Sequence, residues 1–125
     1  ASNYLQPGAS IVAISSLGST RVLENYILVG TSKAAIEALV RYLAIELAPQ
    51  NIRVNAITAG LVKTEALDHF PNRDEMLEFY LSESPTGRLV EPADIAQLAC
   101  FLSSEDAHMI RGQTVVLDGG YSLKA

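Results

Sequence analysis

Ser16, Tyr26 and Lys33 bring a hydroxyl, a phenol and an ammonium into one short stretch of the chain. A phenol can donate a proton or hold a developing oxyanion, an ammonium beside it adds positive charge, and a serine can hydrogen-bond a substrate oxygen. The spacing permits such a group. If a helix reaches back to Tyr26, the seven residues to Lys33 make nearly two turns at ~3.6 residues per turn, so both side chains share a face. The axial gap is ~10 Å at ~1.5 Å per residue, and a lysine leaning toward the helix N-terminus covers much of it. The same spacing also suits a plainer reading, in which Lys33 joins a solvated stripe with Glu37 and Arg41 while Tyr26 only packs. Ser16 reads equally as a loop or cap serine.

A second candidate lies at Thr58-Ala59-Gly60-Leu61-Val62-Lys63-Thr64. Gly60 lets a ligand approach the backbone and Thr64 can donate or accept a hydrogen bond. The alternative is a strand-to-helix turn capped by Thr64. Asn55, inside a strand, is costly if unpaired and is expected to be a satisfied structural amide. His69 and His108 have no partner at metal-ligand spacing and read as surface residues, so no metal site is expected. Cys100 lies in an apolar helix and reads as inert core. Arg88 and Arg111 stand beside glycines in loops and are expected to pair at a surface or interface. Asp118 reads as a turn residue.

These residues need elements to position them. Ser10 to Ser15 is an apolar Ile/Val run that suits a strand buried on both faces of a parallel sheet. Leu17 to Asn25 reads as loop. A helix is predicted from about Tyr26 or Thr31 to Ala48, largely buried because its faces outside the polar stripe are apolar; Pro49-Gln50-Asn51 ends it. Ile52 to Thr58 reads as a second parallel strand. Thr64 to Phe70 and Asn72 to Ser84 are weaker helical segments split by Pro71. Pro92 opens a further helix, near its first turn, that runs to about Leu102. Gln113 to Leu117 is a third strand, closed by Asp118-Gly119-Gly120. The alternation implies an α/β fold with a parallel sheet and right-handed crossovers. Three strands make a thin sheet, a complete doubly wound domain has about six, and no glycine-rich GxGxxG-like turn follows a strand. The chain therefore reads as the C-terminal half of a Rossmann-like doubly wound domain, with the nucleotide-binding glycine half absent.

Composition narrows the class. Among 125 residues, 49% are hydrophobic and 18% charged, which argues for a folded domain with a real core. A net charge of -5 argues against nucleic acid as the main partner. A single cysteine, Cys100, excludes a disulfide within the chain. The opening ASNYLQPGAS does not read as a signal peptide, and no run of about 18 apolar residues suggests a membrane span. A cytoplasmic domain is expected.

Taken together and in order, IVAISS, SKAAIEALVRYLAIELA, IRVNAITAG with Thr64, and GRLVEPADIAQLACFLSS running into IRGQTVVLDGG resemble the C-terminal half of the short-chain dehydrogenase/reductase superfamily over nearly residues 1–125. Most members carry Tyr-x3-Lys, but the residue four before Lys33 is Val29. Tyr26-x6-Lys33 is the spacing of the bacterial enoyl-[acyl-carrier-protein] reductases, and NAITAGLVKTEA resembles theirs, with Ala59 where the wider superfamily has proline. SSLGSTRVLENYILVGTSKAAIEAL, HFPNRDE and MIRGQTVVLDGG most resemble the NADPH-dependent FabL type of bacilli. Val22 stands where that type has an aromatic residue.

The resemblance implies reduction of the trans-2 C=C bond of an enoyl-[acyl-carrier-protein] in bacterial fatty acid biosynthesis, with NADPH, or NADH, as reductant. It implies that Tyr26 hydrogen-bonds the thioester carbonyl, that Lys33 binds the nicotinamide ribose, and that Ser16 stands at the superfamily's catalytic serine. Gly60, Val62 through its backbone, and Thr64 would lie against the nicotinamide carboxamide and pyrophosphate. Residues from about Glu65 to Ser84 would form a substrate lid, acyl carrier protein would be the partner, and the last helix and strand would join a homotetramer interface. With only the nicotinamide side present, the chain by itself is expected to bind NADPH poorly and to expose apolar surface where further strands belong. Two rival readings stand: a 3-oxoacyl-[acyl-carrier-protein] reductase or other carbonyl-reducing relative, and a non-catalytic truncated binding or oligomerisation module.

Overall fold

The computed structural model of the protein describes residues 5–65, 67 and 72–124. A strand, β1 (Ser10–Ser16), leads through a 3-10 turn at Leu17–Ser19 into helix α1 (Ile27–Glu46). Strand β2 (Arg53–Ala59) follows, then helices α2 (Arg73–Glu83) and α3 (Pro92–Ser103), and strand β3 (Thr114–Leu117). The three strands form one parallel sheet in the order β1-β2-β3. Each expected strand is present within a residue or two of its predicted bounds. The helical reading of Thr64 to Phe70 falls largely on residues outside those described, as do Pro71 and His69.

Strand parity sorts the side chains. Ile11 and Ala13 of β1, with Val54 and Ala56 of β2, pack with Val40, Ala44 and Leu47 from α1 and its end. On the other parity, Ser10 Oγ donates to the Leu102 carbonyl and Arg53 Nη2 to that of Ser103, which fastens the end of α3 to the opposite face. All of β2 is buried, as a central parallel strand requires. β1 is only half-buried, and Ile14 is exposed.

Three burial expectations are corrected. The first is β1, read as buried on both faces, which lies at the edge of the sheet and is covered only in part. Helix α1 is not largely buried: Ile27, Leu28, Tyr42 and Ile45 are 77–84% exposed, because only one side of the helix meets the sheet. Cys100, read as core, is exposed on α3. Asn55 is fully buried and satisfied, donating to the Ile110 carbonyl at 2.7 Å and accepting from the Gln113 amide at 3.0 Å. Replacing it by alanine strands both backbone groups. Asn55→Ala is therefore expected to lower stability by roughly 2–4 kcal/mol, read by urea unfolding; a loss below about 0.5 kcal/mol would contradict the structure's account of it.

Arg88 pairs with Asp94 at 2.6 Å, and Asp94 also accepts from the Glu91 amide in a capping box at the start of α3. The Arg88 guanidinium, and then that amide, hold the Asp94 carboxyl at about 2. Arg111 donates to Asn51 and to the Ile52 carbonyl. His108 is exposed, and among the described residues no cluster of histidine, cysteine or carboxylate side chains suits a metal ion. No described helix is long and apolar enough to cross a membrane.

Candidate active site

The register brings the C-terminal ends of all three strands to one edge: Ser16 lies opposite Ala59, and Ala59 opposite Leu117. Ligands of open α/β sheets collect at that edge. Here it opens into a cavity of about 620 Å³. Ser16, Tyr26 and Gly60 line it together with Met76, Phe79 and Tyr80 of α2.

Tyr26 is the residue just before α1, and its ring lies on the Leu17–Ser19 turn. That approach depends on glycine. A Cβ added to Gly18 would stand 2.6 Å from the Tyr26 ring, and one on Gly30 would stand 2.6 Å from the Gly18 carbonyl oxygen. The Tyr26 hydroxyl reaches Ser16 Oγ at 3.5 Å, while Ser16 Oγ also accepts from the Gly18 amide at 3.2 Å. Both hydroxyls border the cavity. Lys33 Nζ donates to the Ile14 carbonyl at 2.9 Å, two residues before the end of β1, and Lys33 does not border the cavity. Val62 bridges to Val90 and Thr64 is exposed; neither borders the cavity.

The proposed solvated stripe does not form. Glu37 is buried, with 9% of its surface exposed, and its Oε1 accepts from Ser15 Oγ at 2.6 Å, Ser19 Oγ at 2.6 Å and Thr58 Oγ1 at 2.9 Å. Burial alone would raise its carboxyl, but donation from Ser15, Ser19 and Thr58, with the charge of Arg41, outweighs it and leaves the group below its usual range. The signal that would have found this arrangement is parity. Ser15 shares a strand face with Ile11 and Ala13, and Thr58 with Val54 and Ala56, so both hydroxyls point toward α1.

Sequence reasoning also missed Tyr80. Its ring stacks on Tyr121 with centroids 4.4 Å apart, and its buried hydroxyl donates to the Asp118 carbonyl at 3.1 Å. Burial pushes that phenol above its ordinary value, and the Asp118 charge adds to the shift. Tyr80 also explains Gly60. The space a side chain would fill there is taken by the Tyr80 hydroxyl and by Asp118 Cβ, the latter 2.9 Å from an added Cβ. Gly60 thus admits the tyrosine, and only its main chain is left to face the cavity. Gly60→Ala is expected to displace Tyr80 and cost about 1–3 kcal/mol, seen as a lower melting temperature together with a changed near-ultraviolet tyrosine signal.

Asp118 keeps its expected place in the turn. Its carboxylate accepts from the Gly120 amide at 2.8 Å and the Ser122 amide at 2.7 Å, while Gly119 and Gly120 take the positive φ values, 65° and 86°, that such a turn needs. Burial raises the Asp118 carboxyl, but Ser122, the Gly120 amide and the Arg21 charge together hold it below its usual range.

A family model described as "Enoyl-(Acyl carrier protein) reductase" matches residues 1–122. The chain is 42% identical to 1-cyclohexenylcarbonyl-CoA reductase of Streptomyces collinus, over 94% of this chain and 43% of that protein. It is 38% identical to the enoyl-[acyl-carrier-protein] reductase [NADH] FabI of Escherichia coli K12, over 98% of this chain and 47% of that protein. A solved small-chain dehydrogenase in complex with NADPH superposes with a TM-score of 0.85 at 39% identity, over 98% of this chain and 55% of the other. The chain thus spans about half the length of the curated relatives it matches.

Proposed function

We propose, since the chain belongs to the enoyl-(acyl carrier protein) reductase family of the short-chain dehydrogenases/reductases, that its cavity is the nicotinamide-side half of a site that reduces the C=C bond of an enoyl thioester. The observation that carries this reading is the pair of hydroxyls, Tyr26 and Ser16, at the wall of one largely apolar cavity, with Lys33 on the same helix.

The residues present suit one end of a nicotinamide cofactor. The cavity, about 620 Å³, is of ligand size, its hydroxyl donors stand on one wall, and an ammonium lies nearly two turns along α1 from Tyr26. When bound, reduced nicotinamide supplies hydride. The chain's own residues do the rest. The Tyr26 hydroxyl donates to the thioester oxygen and holds the negative charge that gathers there as the enolate forms. Lys33 adds positive charge beside it and binds the cofactor ribose. Ser16 orients the tyrosine hydroxyl. Gly60 offers its main chain to the cofactor, Val62 and Thr64 are assigned to the cofactor side on the resemblance alone, and Met76 and Phe79 exclude water from the acyl end. Helix α2, in the described part of the expected lid, covers that end.

NADPH is the proposed reductant, on the resemblance to the FabL type and the NADPH bound by a solved relative; the Escherichia coli relative bears NADH in its name. Acyl carrier protein is the proposed carrier of the thioester, and a homotetramer the proposed assembly. The test is nicotinamide oxidation by the complete gene product, with crotonyl and acetoacetyl thioesters offered separately, each with NADPH and with NADH. Reduction of the crotonyl thioester, faster with NADPH, is expected. Turnover of the ketone alone would replace this reading with that of a carbonyl reductase.

A further inference from the structure

The clamp at Glu37 reaches three segments beside the Tyr26 and Ser16 hydroxyls. Its Oε1 takes hydrogen bonds from Ser15, the residue before Ser16, from Ser19, which closes the turn under the Tyr26 ring, and from Thr58, two residues before Gly60. Glu37 itself stands on α1, the helix that begins directly after Tyr26 and carries Lys33 one turn earlier. Lys33 grips the Ile14 carbonyl, so two consecutive turns of α1 hold adjacent residues of β1.

We infer that Glu37 is a positioning residue, which sets the separation of the Tyr26 and Ser16 hydroxyls by holding the Leu17–Ser19 turn against β1. The route is physical at each step. Glu37 binds Ser19; Ser19 ends the turn that contains Gly18; Gly18 is the bare surface on which the Tyr26 ring rests. Ser16 is fixed from the other side, through Ser15 and through its own bond from the Gly18 amide. Without the Ser19 link, the turn keeps its covalent ends and the packing of Gly18 on Gly30 but loses its side-chain hydrogen bond to the helix, and the ring above it can shift. The Tyr26–Ser16 separation of 3.5 Å is already at the edge of a hydrogen bond, so a small displacement breaks it. Misplacement by about 1 Å can cost up to 10²-fold in rate.

This inference rests on the proposed reductase reading, and its test separates the two. In the complete gene product, Ser19→Ala and Glu37→Gln are each expected to lower kcat for the enoyl thioester about tenfold, with KM changed less than about twofold. Ser19→Thr, which keeps the hydroxyl, is expected to retain kcat. Asn55→Ala, which removes a buried amide remote from the cavity, supplies a destabilised control with unchanged kcat. Full kcat in both Ser19→Ala and Glu37→Gln, or an equal loss in Asn55→Ala, would overturn the inference. A second readout needs no activity. With 3-fluorotyrosine incorporated, the fluorine resonance assigned to Tyr26 by its loss in Tyr26→Phe should move or broaden in Ser19→Ala and Glu37→Gln, but not in Asn55→Ala. If the parent protein reduces no enoyl thioester, the reductase reading falls and this resonance alone decides: one unmoved by Ser19→Ala and Glu37→Gln would sink the positioning role.

Discussion

Tyr26→Phe in the complete gene product is expected to lower kcat for enoyl thioester reduction by about 10²–10³-fold while leaving the fold intact. The magnitude follows from removing a single donor aimed at a developing oxyanion in a site shielded from water. On the proposed reductase reading the new negative charge arrives on the thioester oxygen only with the hydride, so the lost hydrogen bond would be worth more in the transition state than in the ground state. kcat and kcat/KM should therefore fall together, with KM within about twofold of the parent. The fold should survive because, among the described residues, the hydroxyl's one hydrogen bond is the 3.5 Å contact with Ser16, and the ring that rests on Gly18 is kept. Steady-state kinetics with a crotonyl thioester, beside thermal melting of the same preparation, make the measurement. Retention of kcat would return Tyr26 to the packing role that its spacing alone also allowed.

Glu37→Ala should produce the largest loss of stability of any single change considered, about 3–5 kcal/mol. Three hydroxyls donate to one carboxylate oxygen, and Ser15 and Thr58 are buried, so truncation leaves donors with no acceptor and a void between helix and sheet. A domain of ordinary stability holds only about 5–15 kcal/mol, so the variant should unfold at markedly lower urea concentration. Glu37→Gln keeps an acceptor oxygen and should lose less.

The charge makes a separate prediction. The folded-state Glu37 carboxyl lies below its usual value of 4.5, so its contribution is complete above about 4.5 and is lost as the pH falls through the folded value. The charge of Arg41, on the same helix, favours the ionised carboxyl and so works in the same direction. The stability gap between parent and Glu37→Gln should thus be wide at about pH 7 and narrow progressively as the pH falls below about 4.5. A gap that stays constant would show that the carboxylate's charge contributes nothing. Asp118 and Asp94, both also depressed, steepen the acid loss in parent and variant alike.

How much of this was legible before the fold was known depends on the range of the interaction. The helix after Tyr26 and the strand ending at Ser16 follow from runs of neighbouring side chains, and both stand within a residue or two of expectation. Asn55 was legible as well, since a buried amide in a strand must find partners wherever they lie. Glu37 was misread because spacing four from Lys33 and Arg41 describes a shared stripe of the helix, not what that stripe faces. Its partners Ser15 and Thr58 lie 22 and 21 residues away. Cys100 was misread for the same reason: an apolar helix with one covered side exposes some of its apolar residues.

Sequence by itself determined the order of parallel strands and helices, and it put Tyr26 at the start of the helix that carries Lys33, with Ser16 at a strand end. Those outcomes rest on the 3.6- and 2-residue repeats and on glycine and proline, which act within a few residues. Tertiary structure decided which way the group was wired. It turned Lys33 to the Ile14 carbonyl, drew Glu37 inward to bind three hydroxyls, and filled the space beside Gly60 with Tyr80 from α2. Each of these depends on the parallel register that lines up Ser16, Ala59 and Leu117 and on a helix packed across it, contacts between residues far apart in the chain that no local period encodes.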